Sequence, residues 1–144
     1  MYGTVPDVAA LARIWTHDGS FYDKDDVGYP RGTNPTAATV GTWIVNLSAQ
    51  MDIALGSSWF NTPITVDDAP GAYAAISQYV CGLVGDLVQR ANGVNVEVSP
   101  QGKILEYMTK WVTDNADGLL KGGATQTESP ALKKQAGFRV LGNL

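Results

Sequence analysis

The sequence has very few of the side chains on which most enzyme chemistry depends. It contains one cysteine, Cys81, and one histidine, His17, among 144 residues. A single cysteine excludes an internal disulfide bond, and a zinc site normally needs several His or Cys ligands. The apolar residues around Cys81 predict a buried, unreactive thiol. We therefore expect no catalytic residue, no cofactor and no metal ligand.

Common catalytic and nucleotide-binding motifs are also missing. There is no nucleophile elbow, no cysteine-protease signature and no phosphate-binding glycine loop. The stretch DKDDVG matches a calcium loop at Asp23 and Asp25 but fails at Val27 and Asn34, where two further ligands would stand. A hydrolase that uses His17 stays open as an alternative, because composition alone does not exclude it.

Long hydrophobic runs and positive charge are scarce as well. No apolar run approaches the ~20 residues that span a bilayer, and MYGTVPDVAAL at the start lacks the regions of a signal peptide. Ten basic and 14 acidic residues give a net charge of −4, which argues against general nucleic-acid binding. We therefore expect synthesis in the cytoplasm and no membrane partner.

The charge that is present is unevenly distributed along the chain. Residues 1–68 hold eight acidic and three basic residues, whereas residues 119–144 carry a net charge of +3. A basic segment behind an acidic body predicts either an acidic binding partner or simply a solvated end of the chain. Charged residues make up only 17% of the whole, which leaves more surface for protein contacts.

Hydrophobic periodicity predicts a mainly α-helical fold, a small bundle of about four helices with a long loop. The first helix is expected in TVPDVAALARIW, where Thr4 and Asp7 have the spacing of a capping box. One face of this helix would hold Val8, Leu11, Ala12 and Trp15. The loop at 16–33 follows, punctuated by Gly and Pro.

Two longer helices form the centre of the predicted bundle. One begins near NPT, with Asn34 or Thr36 as its N-cap. Its apolar stripe would be Val40, Ile44, Leu47, Met51 and Leu55. The other has Pro70 in its first turn and Gly93 as a left-handed cap. Its broad apolar face would be Tyr73, Ile76, Val80, Leu83, Leu87 and Val88, and Gly82 and Gly85 would let another backbone approach closely.

The remaining segments predict a second region at the C-terminal end. VNVEV at 94–98 alternates like a short strand or extended arm, and SPQGKILEYMTKWV restarts a helix. We expect a helical domain over 1–118, and over 119–144 a flexible linker with an extended C-terminal arm. The turn aromatics and the alternating valines are candidates for a subunit interface: Trp59, Phe60, Val94, Val96 and Val98.

The order of these elements resembles a known family. A helix opening YGTVPDVAAL, a loop, an NPT entry to a helix ending MDIAL, then WFNTPI and a helix rich in Ala and Val, is similar to the head-to-tail connector (adaptor, or head-completion) proteins of tailed bacteriophages. The similarity covers roughly residues 2–92. The loop at 18–33 is longer than the family pattern, and the stretch GVNVEVSP departs from it.

The resemblance implies a structural role in the virion neck. It implies a homo-oligomeric ring, commonly of twelve subunits, between the portal protein and the next neck or tail protein. DNA would pass through the channel without specific binding, and the C-terminal arm would grip the portal. The portal-binding side chains would be Phe138, Arg139, Val140, Leu141 and Leu144. The alternative from a different class is a small non-catalytic protein-binding module, phage or bacterial, that acts as a monomer or dimer.

Overall fold

Helices account for most of the chain that the computed structural model describes, residues 1–94 and 103–127. In chain order they are α1 (Val5–Leu11), a 3-10 turn (Arg13–Trp15), α2 (Ala37–Ser57), α3 (Pro70–Ala91), α4 (Ile104–Asp114) and α5 (Ala116–Lys121). Helix α2 packs against α3 and α4, and α1 and α5 pack on α3. The predicted mainly α-helical bundle is confirmed.

Helix α1 begins as predicted but is shorter than expected. The Thr4 hydroxyl accepts the Asp7 N–H, and the Asp7 carboxylate accepts the Thr4 N–H at 2.8 Å, so the capping box is complete. The helix ends at Leu11, and the chain tightens into the 3-10 turn. The Leu11 side chain is therefore turned outward and 58% exposed, so its predicted place on the buried face was wrong.

Helix α2 is the central element of the bundle. Its N-cap is Thr36, whose hydroxyl accepts the Thr39 N–H at 3.3 Å, and this settles the choice between Asn34 and Thr36. The predicted apolar stripe is confirmed, because all five members are buried in the core: Val40, Ile44, Leu47, Met51 and Leu55. The apolar spacing of the sequence thus placed the inner face of α2 correctly.

Helix α3 has the predicted start and end, but its glycines act differently from the prediction. Pro70 occupies the first turn, and Gly93 follows the helix with a φ of +79°. A Cβ on Gly82 or Gly85 would meet no atom within 4 Å, so no other backbone of the described chain lies there. The close approach occurs instead between the start of α3 and the end of α5. A Cβ on Gly122 would lie 2.4 Å from the Ala72 nitrogen.

Residues 119–127 pack on the bundle, which corrects the boundary predicted at residue 118. Helix α5 crosses that boundary, and its Leu119 is only 1% exposed. Beyond it, the Thr127 N–H donates to the Trp59 carbonyl at 2.7 Å and the Asn61 N–H donates to the Thr125 carbonyl at 2.9 Å. The Gly- and Thr-rich composition that predicted a linker here serves close packing and backbone pairing. The rest of the predicted linker and arm lies outside the described residues.

The N-terminus is tied into the bundle through Tyr2. Its N–H donates to the Ser48 hydroxyl at 2.8 Å, and its own hydroxyl donates to the Asp52 carboxylate. The same hydroxyl accepts the Ile64 N–H at 3.1 Å. Tyr2 is completely buried. One side chain thus links the first residues to α2 and to the loop before α3.

Candidate interaction surfaces

The outward side of α2 forms a continuous row of small and apolar side chains. Every member is exposed, and their spacing of three or four residues places them on one helix face. We call this row the α2 outer stripe: Ala38, Thr42, Val45, Ala49, Ile53 and Gly56. Val45 is 53% exposed and Ile53 is 60% exposed. Apolar surface gathered along one face in this way favours contact with another protein segment.

Helix α2 is almost without charge, which makes this stripe unusual for an exposed helix face. Asp52 is the one charged residue among its 21 residues. Its carboxylate accepts the Tyr2 hydroxyl, so it is engaged within the fold. Exposed helices normally carry charged residues on their solvent side. The outer stripe therefore offers a partner an uncharged surface with little desolvation cost.

The long loop before α2 carries an aromatic cluster beside several carboxylates. The His17 ring stacks on Tyr29 with centroids 4.0 Å apart and meets Tyr22 edge-on at 6.0 Å. Asp23 connects this loop to α2, because its Oδ1 accepts the Ala38 N–H at 2.8 Å. The neighbouring acids, Asp25 and Asp26, are exposed. Negative charge thus lies at the N-terminal end of the outer stripe, where the helix dipole favours it.

The two aromatic residues predicted at a subunit interface have different environments. Phe60 is 4% exposed and belongs to the core of its own chain. It is therefore not available to a neighbouring subunit, and that part of the prediction needs correction. Trp59 is 45% exposed, lies just past the end of α2 and has a φ of +66°. Its role at an interface stays a prediction.

The other predicted interface and portal-binding residues are only partly described. Val94 follows α3, is 39% exposed and is not in a strand. Val96 and Val98 lie outside the described residues. The predicted portal-binding side chains do so as well: Phe138, Arg139, Val140, Leu141 and Leu144.

Cys81 has the environment of an unreactive thiol. It is buried between α1 and α3, beside a cavity of about 280 Å³ that Asp7 and Ser77 also line. Burial, with a smaller effect from the Asp7 charge, raises the pKa of the Cys81 thiol from 9.0 to about 11. The thiol is therefore protonated at neutral pH, and the thiolate needed for attack or metal binding is scarce. The predicted burial is confirmed.

His17 and the carboxylates do not assemble into a metal site within the chain described. The His17 Nε2 lies 3.3 Å from the Asp18 Oδ2, and the two side chains are 42% and 84% exposed, respectively. In residues 1–94 and 103–127, no group of three His, Cys, Asp or Glu side chains could hold a metal ion. In the same ranges no helix is both long and apolar enough to cross a membrane.

Sequence reasoning missed two features that matter most for contacts. The α2 outer stripe was not predicted, because apolar periodicity identifies only the buried face of a helix. The presence of a single charged residue among the 21 residues of α2 was a signal that could have indicated it. The pairing of residues 125–127 with 59–61 has no local signal, because it depends on tertiary contacts.

Comparison with known proteins adds no relative to these findings: no family model matches the chain, and no curated protein and no solved structure matches it.

Proposed function

We propose that this protein is a structural subunit of a bacteriophage neck, a ring that joins the portal to the next neck or tail protein. The observation that carries the proposal is the α2 outer stripe, an exposed and uncharged face of a helix of 21 residues. A subunit with such a face can pack against copies of itself around a ring. The expected ring has twelve subunits and lies at the head–tail interface of the virion.

The charges of the body support passage of DNA through such a ring. Residues 1–68 are net negative, and like charge disfavours contact with phosphate. DNA would therefore slide past the subunits without specific binding. The portal would be held by the C-terminal arm, through apolar side chains that include Phe138 and Leu141.

Co-sedimentation with portal rings tests the proposal. The full-length protein should sediment with portal rings, and a variant that ends at Thr127 should remain in the supernatant. A double substitution in the outer stripe, Val45→Glu with Ile53→Glu, should reduce the number of subunits bound per portal. Val66→Glu, an exposed apolar position off the stripe, is the matched control and should bind as the wild type does.

Native mass spectrometry in the presence of portal tests the alternative, a small protein-binding module that acts as a monomer or dimer. If the alternative holds, the spectra show no ring at any protein concentration. Binding of the variant that ends at Thr127 at wild-type level would contradict the assigned role of the arm.

A further inference from the structure

A small cavity between α1 and α3 has no part in the proposed function. We call it the α1–α3 cavity. Its volume is about 280 Å³, and side chains three or four residues apart on each helix line it: Asp7, Leu11, Ala74, Ser77, Gln78 and Cys81. A Cβ on Gly3 would lie 2.2 Å from the Cys81 Sγ, so the chain before α1 packs directly on α3 beside the cavity. This contact holds α1 in place against α3.

Asp7 gives the wall of the cavity a fixed negative charge. It is the only charged residue among the six described residues that line the cavity. Its Oδ2 accepts the Thr4 N–H at 2.8 Å and the Thr4 hydroxyl at 2.7 Å, so the capping box holds the carboxylate in position. Its charge also acts on the inner wall, because the pKa of the Cys81 thiol is raised first by burial and then by Asp7. The cavity therefore favours a cation over an anion.

Ser77 adds a hydroxyl that has no partner. Its Oγ is buried and makes no hydrogen bond. Within residues 1–94 and 103–127, no other buried side-chain nitrogen or oxygen lacks a partner. Buried polar atoms in folded proteins are almost always hydrogen-bonded, so an exception requires an explanation. A ligand in the adjoining cavity would supply the missing partner.

The groups on the wall match a primary ammonium on a short apolar chain. An ammonium has three donors and no acceptor. The wall carries three side chains with an acceptor oxygen, and the side chains of Leu11 and Ala74 are apolar: the acceptors belong to Asp7, Ser77 and Gln78. A metal ion does not match, because no group of three His, Cys, Asp or Glu side chains in the described ranges could hold one.

We propose that the α1–α3 cavity binds a primary ammonium group on a short aliphatic chain. The ammonium pairs with the Asp7 carboxylate, and the Ser77 hydroxyl rotates about χ1 to accept a hydrogen bond from it. The methylene groups of the ligand lie against Leu11 and Ala74. Two sources carry this chemistry, a free small amine and the lysine side chain of a second copy of this chain. Asp7 is exposed to solvent, so salt weakens the binding.

Titration of the full-length protein with n-butylammonium, followed by ¹⁵N NMR, tests the site. We expect saturable shifts of the Ala74 and Gln78 amide signals, with a dissociation constant in the millimolar range. Asp7→Asn keeps an acceptor for the capping box and should weaken binding about tenfold, because the ion pair is lost. Ser77→Ala should weaken it about threefold, because one hydrogen bond is lost. Asp67→Asn, at an exposed carboxylate away from the cavity, is the matched control and should bind as the wild type does.

The neutral probe n-butanol distinguishes recognition of the charge from simple filling of the cavity. It has the same carbon chain and should bind about tenfold more weakly than n-butylammonium. Equal affinity for the two probes would overturn the proposal. Unchanged binding by Asp7→Asn, or the absence of a saturable shift, would overturn it as well.

A dilution series of the protein without amine distinguishes the two sources of the ammonium. If the Ala74 and Gln78 signals move with protein concentration, the ammonium belongs to a lysine of a second copy. If they do not move and n-butylammonium binds, it belongs to a free amine. No portal is present in these measurements, so their failure is distinct from a failure of portal co-sedimentation.

Discussion

At the scale of single residues, Tyr2 forms hydrogen bonds with α2 and with the loop before α3. Its hydroxyl donates to Asp52 and accepts from the Ile64 N–H, and both contacts lie inside the fold. Burial, and then the hydrogen bond to Asp52, raise the pKa of Tyr2 well above its ordinary value. The side chain therefore stays neutral wherever the protein is folded under ordinary conditions.

Tyr2→Phe should destabilise the protein by about 1–3 kcal/mol, because the Ile64 N–H and Asp52 lose a partner that water does not fully replace. Urea unfolding at neutral pH measures the change. Tyr107→Phe, at an exposed tyrosine of α4, is the control and should change the free energy of unfolding by less than ~0.5 kcal/mol. Equal effects of the two substitutions would contradict the role given to the Tyr2 hydroxyl.

Cys81 makes a contribution to stability that depends on pH. Its pKa is 9.0 in an unperturbed thiol and about 11 in the fold, so the folded state holds the proton more tightly. The contribution is fully present below the unfolded pKa and is lost as the pH rises through the folded pKa. Cys81→Ala should therefore lose stability less steeply between these two values than the wild type, as followed by urea unfolding. Parallel curves for the two proteins would count against the raised pKa.

At the scale of elements, the apolar periodicity of the sequence predicted the helices but not the contacts between them. The inner face of α2 and the limits of α3 follow from spacing and capping, which are local. Leu11 fitted the pattern of α1 and is nevertheless exposed, because the helix stops at that residue. Gly82 and Gly122 look alike in sequence, and only the packing of α5 on α3 distinguishes their environments.

The crossing of α3 and α5 predicts opposite effects for these two glycines. Gly122→Ala would place a Cβ 2.4 Å from the Ala72 nitrogen, so the backbones must separate. We expect a loss of about 1–3 kcal/mol, as for other overpacked sites. Gly82→Ala meets no atom within 4 Å and should stabilise α3 by about 0.5–1 kcal/mol.

Thermal unfolding monitored by circular dichroism distinguishes the two glycine variants. An unchanged midpoint for Gly122→Ala would show that the backbones of α3 and α5 lie further apart than the structure places them. A lower midpoint for Gly82→Ala would contradict the open space around that position.

At the scale of the whole molecule, the described bundle includes residues up to Thr127. A variant that ends at Gly118 lacks Leu119, a fully buried side chain, and should lose about 2–5 kcal/mol or fail to fold. A variant that ends at Thr127 keeps every described contact and should be clearly more stable than the variant that ends at Gly118. Circular dichroism of the two truncated proteins makes the comparison. Equal stability of both would return the boundary to residue 118.

The candidate contact surfaces were the least predictable part of the molecule. Phe60 was expected at an interface because it adjoins an exposed turn, but the backbone pairing of residues 59–61 with 125–127 turns it into the core. That pairing joins segments more than 60 residues apart, and no local pattern encodes it. The α2 outer stripe, in contrast, has a signal in the sequence of α2 itself, because this long helix contains a single charged residue.

The pairing of residues 125–127 with 59–61 also determines how the molecule would carry mechanical load. A pull directed along this short segment would meet the bonds from Thr127 to Trp59 and from Asn61 to Thr125, which run across it. They would resist the pull together, in shear. Tension would thus enter the bundle at the end of α2, and the small helix α5 would be shielded from it.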